Sequence, residues 1–189
     1  MTTTLLLASK SPRRRQLLAQ LGYAMRTVDV EVEECLQGHV PAAEVAECLA
    51  LLKSQAYKEP LTAGEVLVTA DTVVVSEGMV LGKPHDATEA FRMLRQLSGA
   101  AHQVYTGVCM RSAVAQVAFS ERTDVWFRPL SDETIRTYIA QGTCMDKAGA
   151  YGIQEWIGMV GVERIEGCYY NVMGLPLSRL YCELQTLIR

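Results

Sequence analysis

The chain has 189 residues, of which 49% are hydrophobic and 21% charged, and its formal net charge at pH 7 is −3. This composition is typical of a globular protein with a sizeable core and excludes a disordered or collagen-like chain. A negative net charge argues against stable nucleic-acid binding, which needs a basic surface. No apolar run reaches the roughly 18 residues that span a bilayer, and the first residues lack a signal-peptide pattern, so we expect a cytoplasmic protein that binds no membrane.

The first predicted strand begins near Leu5 and leads into a helix whose opening turn carries three arginines. Ser11 suits the N-cap, Pro12 the first helical position and Gly22 the residue past the end, so residues 13–15 fall in the first turn. Cations at that positive end of the helix dipole cost about 0.3–1 kcal/mol each unless an anion binds among them. The pattern therefore predicts a phosphate site.

Arg14 is the arginine whose place on this helix is most informative. The apolar face consists of Leu17, Leu18 and Leu21, and Arg14 lies near the centre of that face. Because a guanidinium cannot be buried without a partner, we expect it to project into a cleft. The alternative is that all three arginines, Arg15 included, are solvated surface charges.

Hydrophobic periodicity predicts the elements that follow in chain order. In the first half of the chain these are a strand-like stretch over Met25–Val32, a helix over Pro41–Tyr57, a buried strand over Val66–Ser76, a turn at Glu77-Gly78, a returning strand over Met79–Leu81 and a helix over Ala87–Leu97 capped by Asp86. In the second half they are paired strands around Gln103–Met110 and Ala115–Phe127, a helix from Ser131 to about Gln141, a glycine-rich stretch from Gly149 to Gly167 and a helix from Pro176. This mixture predicts an α/β fold. No repeat or linker marks a boundary, so we expect one domain over residues 1–189.

Two carboxylate features stand out. Asp71 interrupts an apolar strand, where an unpaired carboxylate would cost several kcal/mol, so it either faces a cleft or bonds to backbone or to a structural lysine. Glu31, Glu33 and Glu34 form an acidic cluster that suits a hard cation such as Mg²⁺, although such a run is also typical of a solvated turn. The six cysteines lack metal or redox spacing, which predicts reduced thiols.

Lysines complete a set suited to phosphoryl transfer. Lys53, Lys83 and Lys147 could neutralise phosphate charge, although Lys83 could equally be a solvated lysine. Lys147 and Gln154 lie in a segment whose glycines allow close backbone approach to a ligand or simply form turns. No P-loop or dinucleotide-binding motif is present, so phosphate recognition is expected at the arginine-bearing helix start.

Eight motifs in this order closely resemble the Maf family of nucleotide pyrophosphatases. They are Ala8-Ser-Lys-Ser-Pro-Arg-Arg14, the Glu33-Glu34 region, Lys53, Ala70-Asp-Thr72, Gly82-Lys-Pro84, Ser98-Gly99 with His102-Gln-Val-Tyr-Thr-Gly107, Asp146-Lys-Ala-Gly-Ala-Tyr-Gly-Ile-Gln154 and Asn171-Val-Met-Gly-Leu-Pro-Leu177. The resemblance implies an elongated mixed sheet with surrounding helices and two lobes around a cleft, as in the inosine triphosphate pyrophosphatases.

The resemblance also implies the activity: hydrolysis of a nucleoside triphosphate to the monophosphate and pyrophosphate with a divalent cation (Mg²⁺, Mn²⁺ or Co²⁺). Asp71 matches the proton acceptor, and Lys53, Lys83 and Glu34 match further catalytic positions. Glu34 and Asp71 would hold the metal. The substrate-binding positions implied are Ser9, Arg13, Arg14, Thr72, Lys147 and Gln154.

Arg13, Thr72 and Gln154 match the trio that marks the dTTP/UTP branch of the family. The amide of Gln154 could serve both an acceptor and a donor on the edge of uracil or thymine. The expected role is removal of unwanted pyrimidine nucleotides, modified ones included, with a link to cell division. The alternative is a nucleotide-binding regulator of septum formation without significant turnover. The family often forms homodimers, which is an expectation from the resemblance alone.

Overall fold

The computed structural model of the chain describes residues 3–33 and 40–189. Its strands are β1 (Thr4–Ala8), β2 (Ala24–Thr27), β3 (Glu65–Ser76), β4 (Met79–Leu81), β5 (Ala101–Arg111), β6 (Gln116–Phe127) and β7 (Val162–Glu166). Its α-helices are α1 (Pro12–Ala19), α2 (Val45–Ala56), α3 (Ala87–Leu97), α4 (Asp132–Ile139), α5 (Trp156–Gly161), α6 (Tyr169–Val172) and α7 (Leu177–Leu187). None of these helices is long and apolar enough to cross a membrane.

The strands form one mixed sheet, which confirms the predicted α/β class. Their order is β2-β1-β3-β5-β6-β7, and β4 pairs with β3 outside this path. β1 pairs in parallel with β2 and β3, whereas β3 with β4 and β6 with β7 are antiparallel. The parallel pairs explain why β1 is buried over Leu5–Ala8: a central strand has neighbours on both sides.

Short-range signals predicted several elements correctly. The turn between β3 and β4 consists of Glu77 and Gly78, at φ +52° and +77°, and Ser76 pairs with Met79 across it. Two consecutive positive φ values are what a tight two-residue hairpin with the right-handed strand twist requires. Asp86 caps α3 as expected, because its carboxylate accepts the backbone N–H of Glu89 at 2.8 Å.

Other boundaries were predicted wrongly. The strand expected over Met25–Val32 ends at Thr27, because β2 lies at the edge of the sheet and its partner there, β1, is itself short. The helix expected from Pro41 begins at Val45, and the one expected to reach Gln141 ends at Ile139. The glycine-rich stretch contains α5 and β7, which are too short to give a periodic signal.

The chain divides into two compact units. Unit 1 comprises Met1–Asp71, Thr106–Glu121 and Gly174–Arg189. One of its buried clusters consists of Leu6, Ala8, Tyr57 and Leu67, with Val28, Val30 and Leu61 packed against it. Helix α2 approaches β5 closely at Gly107, where a Cβ atom would lie 2.2 Å from the carbonyl carbon and oxygen of Ala46. Only glycine permits this contact.

Unit 2 comprises Thr72–Tyr105 and Arg122–Met173. Its core joins the apolar faces of α3 and α4 to the inward residues of the strands; these include Met93, Leu94, Leu97, Val104, Val125, Phe127, Ile135, Tyr138 and Ile157. His102 is fully buried in this unit, edge-on to the rings of Phe127 and Tyr151. A single domain over residues 1–189 stays a prediction.

Candidate active site

The start of α1 has the local structure that the sequence predicts. Ser11 is the N-cap, and its hydroxyl accepts the N–H of Arg14 at 3.4 Å, while its own N–H donates to the hydroxyl of Ser9 at 3.2 Å. Pro12 opens the helix, and the first turn contains no acidic residue. The helix therefore begins with arginines at the positive end of its dipole and no carboxylate of its own to balance them.

Arg14 is anchored to unit 1 by three hydrogen bonds. Its Nε donates to the carbonyl of Gly174 at 2.8 Å, and its Nη1 donates to the carbonyl of Ala70 at 2.9 Å and to the Ser9 hydroxyl at 3.4 Å. These bonds exclude the alternative that Arg14 is a solvated surface charge. Arg15 is exposed, as a solvated arginine would be, and Arg13 is half-buried. The Arg14 guanidinium thus contacts the peptide that directly precedes Asp71.

Asp71 and Lys53 form an ion pair within unit 1. The Lys53 Nζ lies 2.5 Å from Asp71 Oδ1, and each side chain is 15% exposed. The sequence left open whether Asp71 meets a structural lysine or serves chemistry. The ion pair offsets the cost of burying both charges. The exposed part of the Asp71 side chain still leaves its carboxylate accessible to water. Thr72, the next residue of β3, is half-buried.

Helix α2, which carries Lys53, contacts the strands of unit 1 at its beginning, in its middle and at its end. At its beginning it meets the bare backbone of Gly107. In its middle, the Thr69 hydroxyl donates to the carbonyl of Ala50 at 2.7 Å. At its end, Arg111 Nη2 donates to the carbonyls of Ser54 and Tyr57, both at 2.9 Å.

Thr69 and Arg111, which bond to the backbone of α2, are residues that sequence reasoning missed. A polar residue inside an apolar strand is the signal that could have found Thr69, since a buried polar group needs a partner, whereas Arg111 stands at the end of β5 and gives no such signal.

Lys83 belongs to unit 2 and its side chain is exposed. The segment around it is held on both sides: the N–H of Gly149 donates to the carbonyl of Gly82 at 3.0 Å, and the N–H of His85 donates to Glu89 at 2.7 Å. Exposure agrees with a solvated lysine and equally with one that binds an anionic ligand. The structure therefore leaves both interpretations of Lys83 in place.

Lys147 of unit 2 is almost fully buried, with 6% of its side chain exposed. Its ammonium donates to the carbonyl of Thr143 and lies 2.6 Å from Asp146 Oδ1 and 2.8 Å from Glu155 Oε1. The side chain expected to bind substrate is thus surrounded by acceptors of its own unit. Gln154, its expected companion, is half-buried two residues after Gly152.

A metal site was predicted at Glu34 and Asp71. Glu34 lies outside the described residues, and Glu31 and Glu33 are exposed. Residues 3–33 and 40–189 contain no group of three or more His, Cys, Asp or Glu side chains that could hold a metal ion. Mg²⁺ typically uses one or two carboxylates together with substrate phosphates and water, so the donor chemistry of Asp71 fits a cation that arrives with a triphosphate.

Comparison with known proteins identifies the family. The model of the Maf family, described as Maf-like protein, matches residues 4–187. The dTTP/UTP pyrophosphatase of Bacteroides thetaiotaomicron is 48% identical over 185 residues, covering 97% of this chain and 95% of that protein. A protein of the same name from Syntrophomonas wolfei is 50% identical over 179 residues, covering 93% of each.

Among solved structures, the Ham1 protein of Staphylococcus aureus matches 66% of this chain and 72% of its own, with a TM-score of 0.46 and 14% identity, which is too distant to support an argument. The match of the family model and the near-full-length relatives are decisive without it. The chain belongs to the Maf family.

Proposed function

We propose that this chain hydrolyses dTTP and UTP to the nucleoside monophosphate and pyrophosphate. One observation carries the proposal: in unit 1, Lys53 pairs with Asp71 and Arg14 bonds the carbonyl of the preceding residue, so a cation from α2 and a cation from α1 contact consecutive residues of β3. Relatives with 42–50% identity, aligned over more than nine tenths of both chains, bear the name of this activity.

In the proposed reaction, the oxygen of a water molecule forms a bond to the α-phosphorus while the bond from that phosphorus to the α–β bridging oxygen breaks. Pyrophosphate leaves with the bridging oxygen, and Asp71 accepts the proton from the attacking water. Lys53 orients the Asp71 carboxylate through its ion pair. Arg14, Ser9 and the exposed Lys83 are proposed to bind phosphate oxygens, whose negative charge the two cations offset.

A divalent cation, Mg²⁺, Mn²⁺ or Co²⁺, is proposed as the cofactor. Glu34 and Asp71 are the residues that would hold it. When bound, the cation would supply further neutralisation of the phosphate charge. The partly exposed carboxylate of Asp71 suits a cation that phosphates help to bind.

Selection of the base is proposed to rest on Arg13, Thr72 and Gln154. Uracil and thymine present an N–H between two carbonyls, and one amide can meet a carbonyl and that N–H together. Because an amide can also rotate to suit cytosine, discrimination requires that Gln154 be held in place.

We further propose that the enzyme works in the cytoplasm on canonical or modified pyrimidine triphosphates, with a link to cell division, and that it is a homodimer built from one domain per chain. The alternative of a regulator of septum formation without turnover is not favoured. A sensor has no use for a carboxylate held by a lysine beside an anion-binding arginine, and the similar proteins are named for catalysis.

The proposal is tested by Asp71→Asn, with pyrophosphate release from dTTP measured in the presence of Mg²⁺, Mn²⁺ or Co²⁺. We expect kcat to fall by about 100-fold or more, the contribution of a general base. Asp29→Asn, an exposed aspartate of the same unit, is the matched control and should leave kcat unchanged. Wild-type turnover in a folded Asp71→Asn variant would remove Asp71 from the mechanism.

A further inference from the structure

An ion pair in unit 2 joins the two ends of the segment from Lys147 to Glu155. Lys147 Nζ lies 2.8 Å from Glu155 Oε1, and the two side chains are 6% and 21% exposed. The same ammonium also donates to the Thr143 carbonyl and to Asp146. Two of its N–H donors thus serve the Thr143 carbonyl and Asp146, and the ion pair with Glu155 balances its charge. Lys147 therefore functions as a structural cation in this arrangement.

The second oxygen of Glu155 continues the network. Glu155 Oε2 accepts the phenolic O–H of Tyr138 and the hydroxyl of Thr143, the latter at 3.0 Å. The Tyr138 oxygen in turn accepts the backbone N–H of Gly152 at 3.2 Å. Tyr138 is fully buried, and burial together with the bond to Glu155 raises the pKa of its hydroxyl, which therefore stays a donor. We call Tyr138, Lys147, Gly152 and Glu155 the Glu155 clasp.

The Glu155 clasp surrounds a single turn. The N–H of Glu155 donates to the carbonyl of Gly152 at 3.0 Å, so Ile153 and Gln154 are the two central residues of that turn. A Cβ on Gly152 would lie 2.9 Å from side-chain carbons of both Glu155 and Lys147. The first residue of the turn is thus fixed by Tyr138 and by close packing, and its last residue by Lys147.

The turn also packs against the core of unit 2 and against α5. Ile153 is buried in the core of unit 2, and a Cβ on Gly158 would lie 1.9 Å from the Ile153 carbonyl oxygen, so the first turn of α5 rests directly on this peptide. The backbone around Gln154 is therefore fixed by the clasp and by the contact between Gly158 and the Ile153 carbonyl. Such support is what a polar group needs when its orientation decides between two ligands.

We propose that Glu155, acting with Tyr138, is a positioning residue that holds Gln154 for discrimination between uracil or thymine and cytosine, and that Lys147 serves this clasp rather than the triphosphate. The inference rests on the proposed function, because it assigns Gln154 to the base. An amide on a loose turn accommodates either pattern of donors and acceptors, whereas one on a fixed turn favours a single pattern.

The test measures Kd by calorimetry for dTMP, dCMP and inorganic pyrophosphate, with wild type, Glu155→Gln, Tyr138→Phe and Glu163→Gln. Glu163 is an exposed glutamate of the same unit and serves as the control. We expect the preference of wild type for dTMP over dCMP to fall about tenfold in Glu155→Gln, roughly the factor of one lost hydrogen bond. Tyr138→Phe should show a smaller loss, and pyrophosphate affinity should stay within about twofold of wild type, because the proposed role of the clasp concerns the base and pyrophosphate has none.

An unchanged ratio of dTMP to dCMP affinity in Glu155→Gln would overturn the inference, as would a wild type without any such preference. A loss of pyrophosphate affinity alone would overturn it too, because the clasp would then serve the phosphates. If circular dichroism shows Glu155→Gln to be unfolded, Tyr138→Phe carries the same test. Release of pyrophosphate from dTTP by wild type is measured separately, so that base preference without turnover would reject the proposed hydrolysis and keep the assignment of Gln154 to the base, which is the part of the proposed function that the inference needs.

Discussion

Gly107→Ala offers a sharp test of how unit 1 positions Lys53, the residue proposed to orient Asp71. Helix α2 carries Lys53 and begins directly against Gly107 of β5. A Cβ at Gly107 would lie 2.2 Å from the carbonyl carbon and oxygen of Ala46 and 2.3 Å from the nitrogen of Glu47. These atoms belong to the helix backbone, so no side-chain rotation can relieve the contact.

The size of the effect follows from that distance. Ordinary contacts of a Cβ begin at 3.4 Å, so the start of α2 must move away from β5 by about 1.2 Å. Overpacking of this kind costs typically about 1–3 kcal/mol, which in a protein of this length lowers Tm by about 2–12 °C. Displacement of a catalytic group by about 1 Å can cost about 100-fold in rate. We therefore expect both a lower Tm and a strongly reduced kcat with dTTP.

Thermal unfolding and pyrophosphate release measure the two effects. Gly82→Ala is the control for stability, because a Cβ there meets nothing within 4 Å and its backbone conformation is open to other residues. A Gly107→Ala variant with the Tm and the kcat of wild type would refute the reasoning, since the contact between α2 and β5 would then tolerate a methyl group.

Three further predictions concern groups whose partners the structure defines. Burial lowers the pKa of His102 from its usual 6.5 to about 4, outweighing the opposite effect of Asp124. The unfolded chain therefore binds the proton more readily, and stability should fall as pH drops from about 6.5 to about 4, by roughly 3 kcal/mol in total. His102→Asn should remove most of that slope in pH-dependent denaturant unfolding, and an unchanged slope would contradict the assignment. Arg14→Lys retains the charge but cannot form both backbone bonds, so it should lose about 1–3 kcal/mol of stability in denaturant titrations. The control Arg15→Lys should change the stability by less than about 0.5 kcal/mol. Equal effects of the two substitutions would count against the anchoring role of Arg14. Arg111→Met, which removes two bonds to the end of α2, should lower kcat with dTTP more than it raises KM, and an intact kcat would show that α2 needs no such tether.

The sequence alone was sufficient wherever the deciding interaction spans only a few residues. The Ser11 and Asp86 caps and the Glu77-Gly78 hairpin are made by groups at most three positions apart. Their geometry depends on local backbone preferences, so residue type and spacing determine it. The strand over Val66–Ser76 was equally clear, because a long apolar run with one aspartate has few other interpretations.

Contacts between distant parts of the chain could not be predicted in this way. Arg14 bonds to carbonyls 160 and 56 positions away, and no local sequence pattern predicts Gly174 or Ala70 as its partners. The sequence predicted Lys53 and Asp71 as candidate site residues but not their ion pair. The two side chains meet only when α2 packs on β3 in one particular register. Thr69 and Arg111, which help to set that register, were missed.

Lys147 shows most clearly where residue type stops being informative. A lysine in a glycine-rich segment suggests a ligand for phosphate, and the substrate role of Lys147 stays a prediction; its contacts with Glu155, Asp146 and the Thr143 carbonyl became known only from the structure. The amino-acid sequence by itself determined the fold class, the caps and the family, because these depend on local preferences and on motif order. Only the tertiary structure decided which charges are partnered, since the free energy of a buried ion depends on neighbours that folding brings to it.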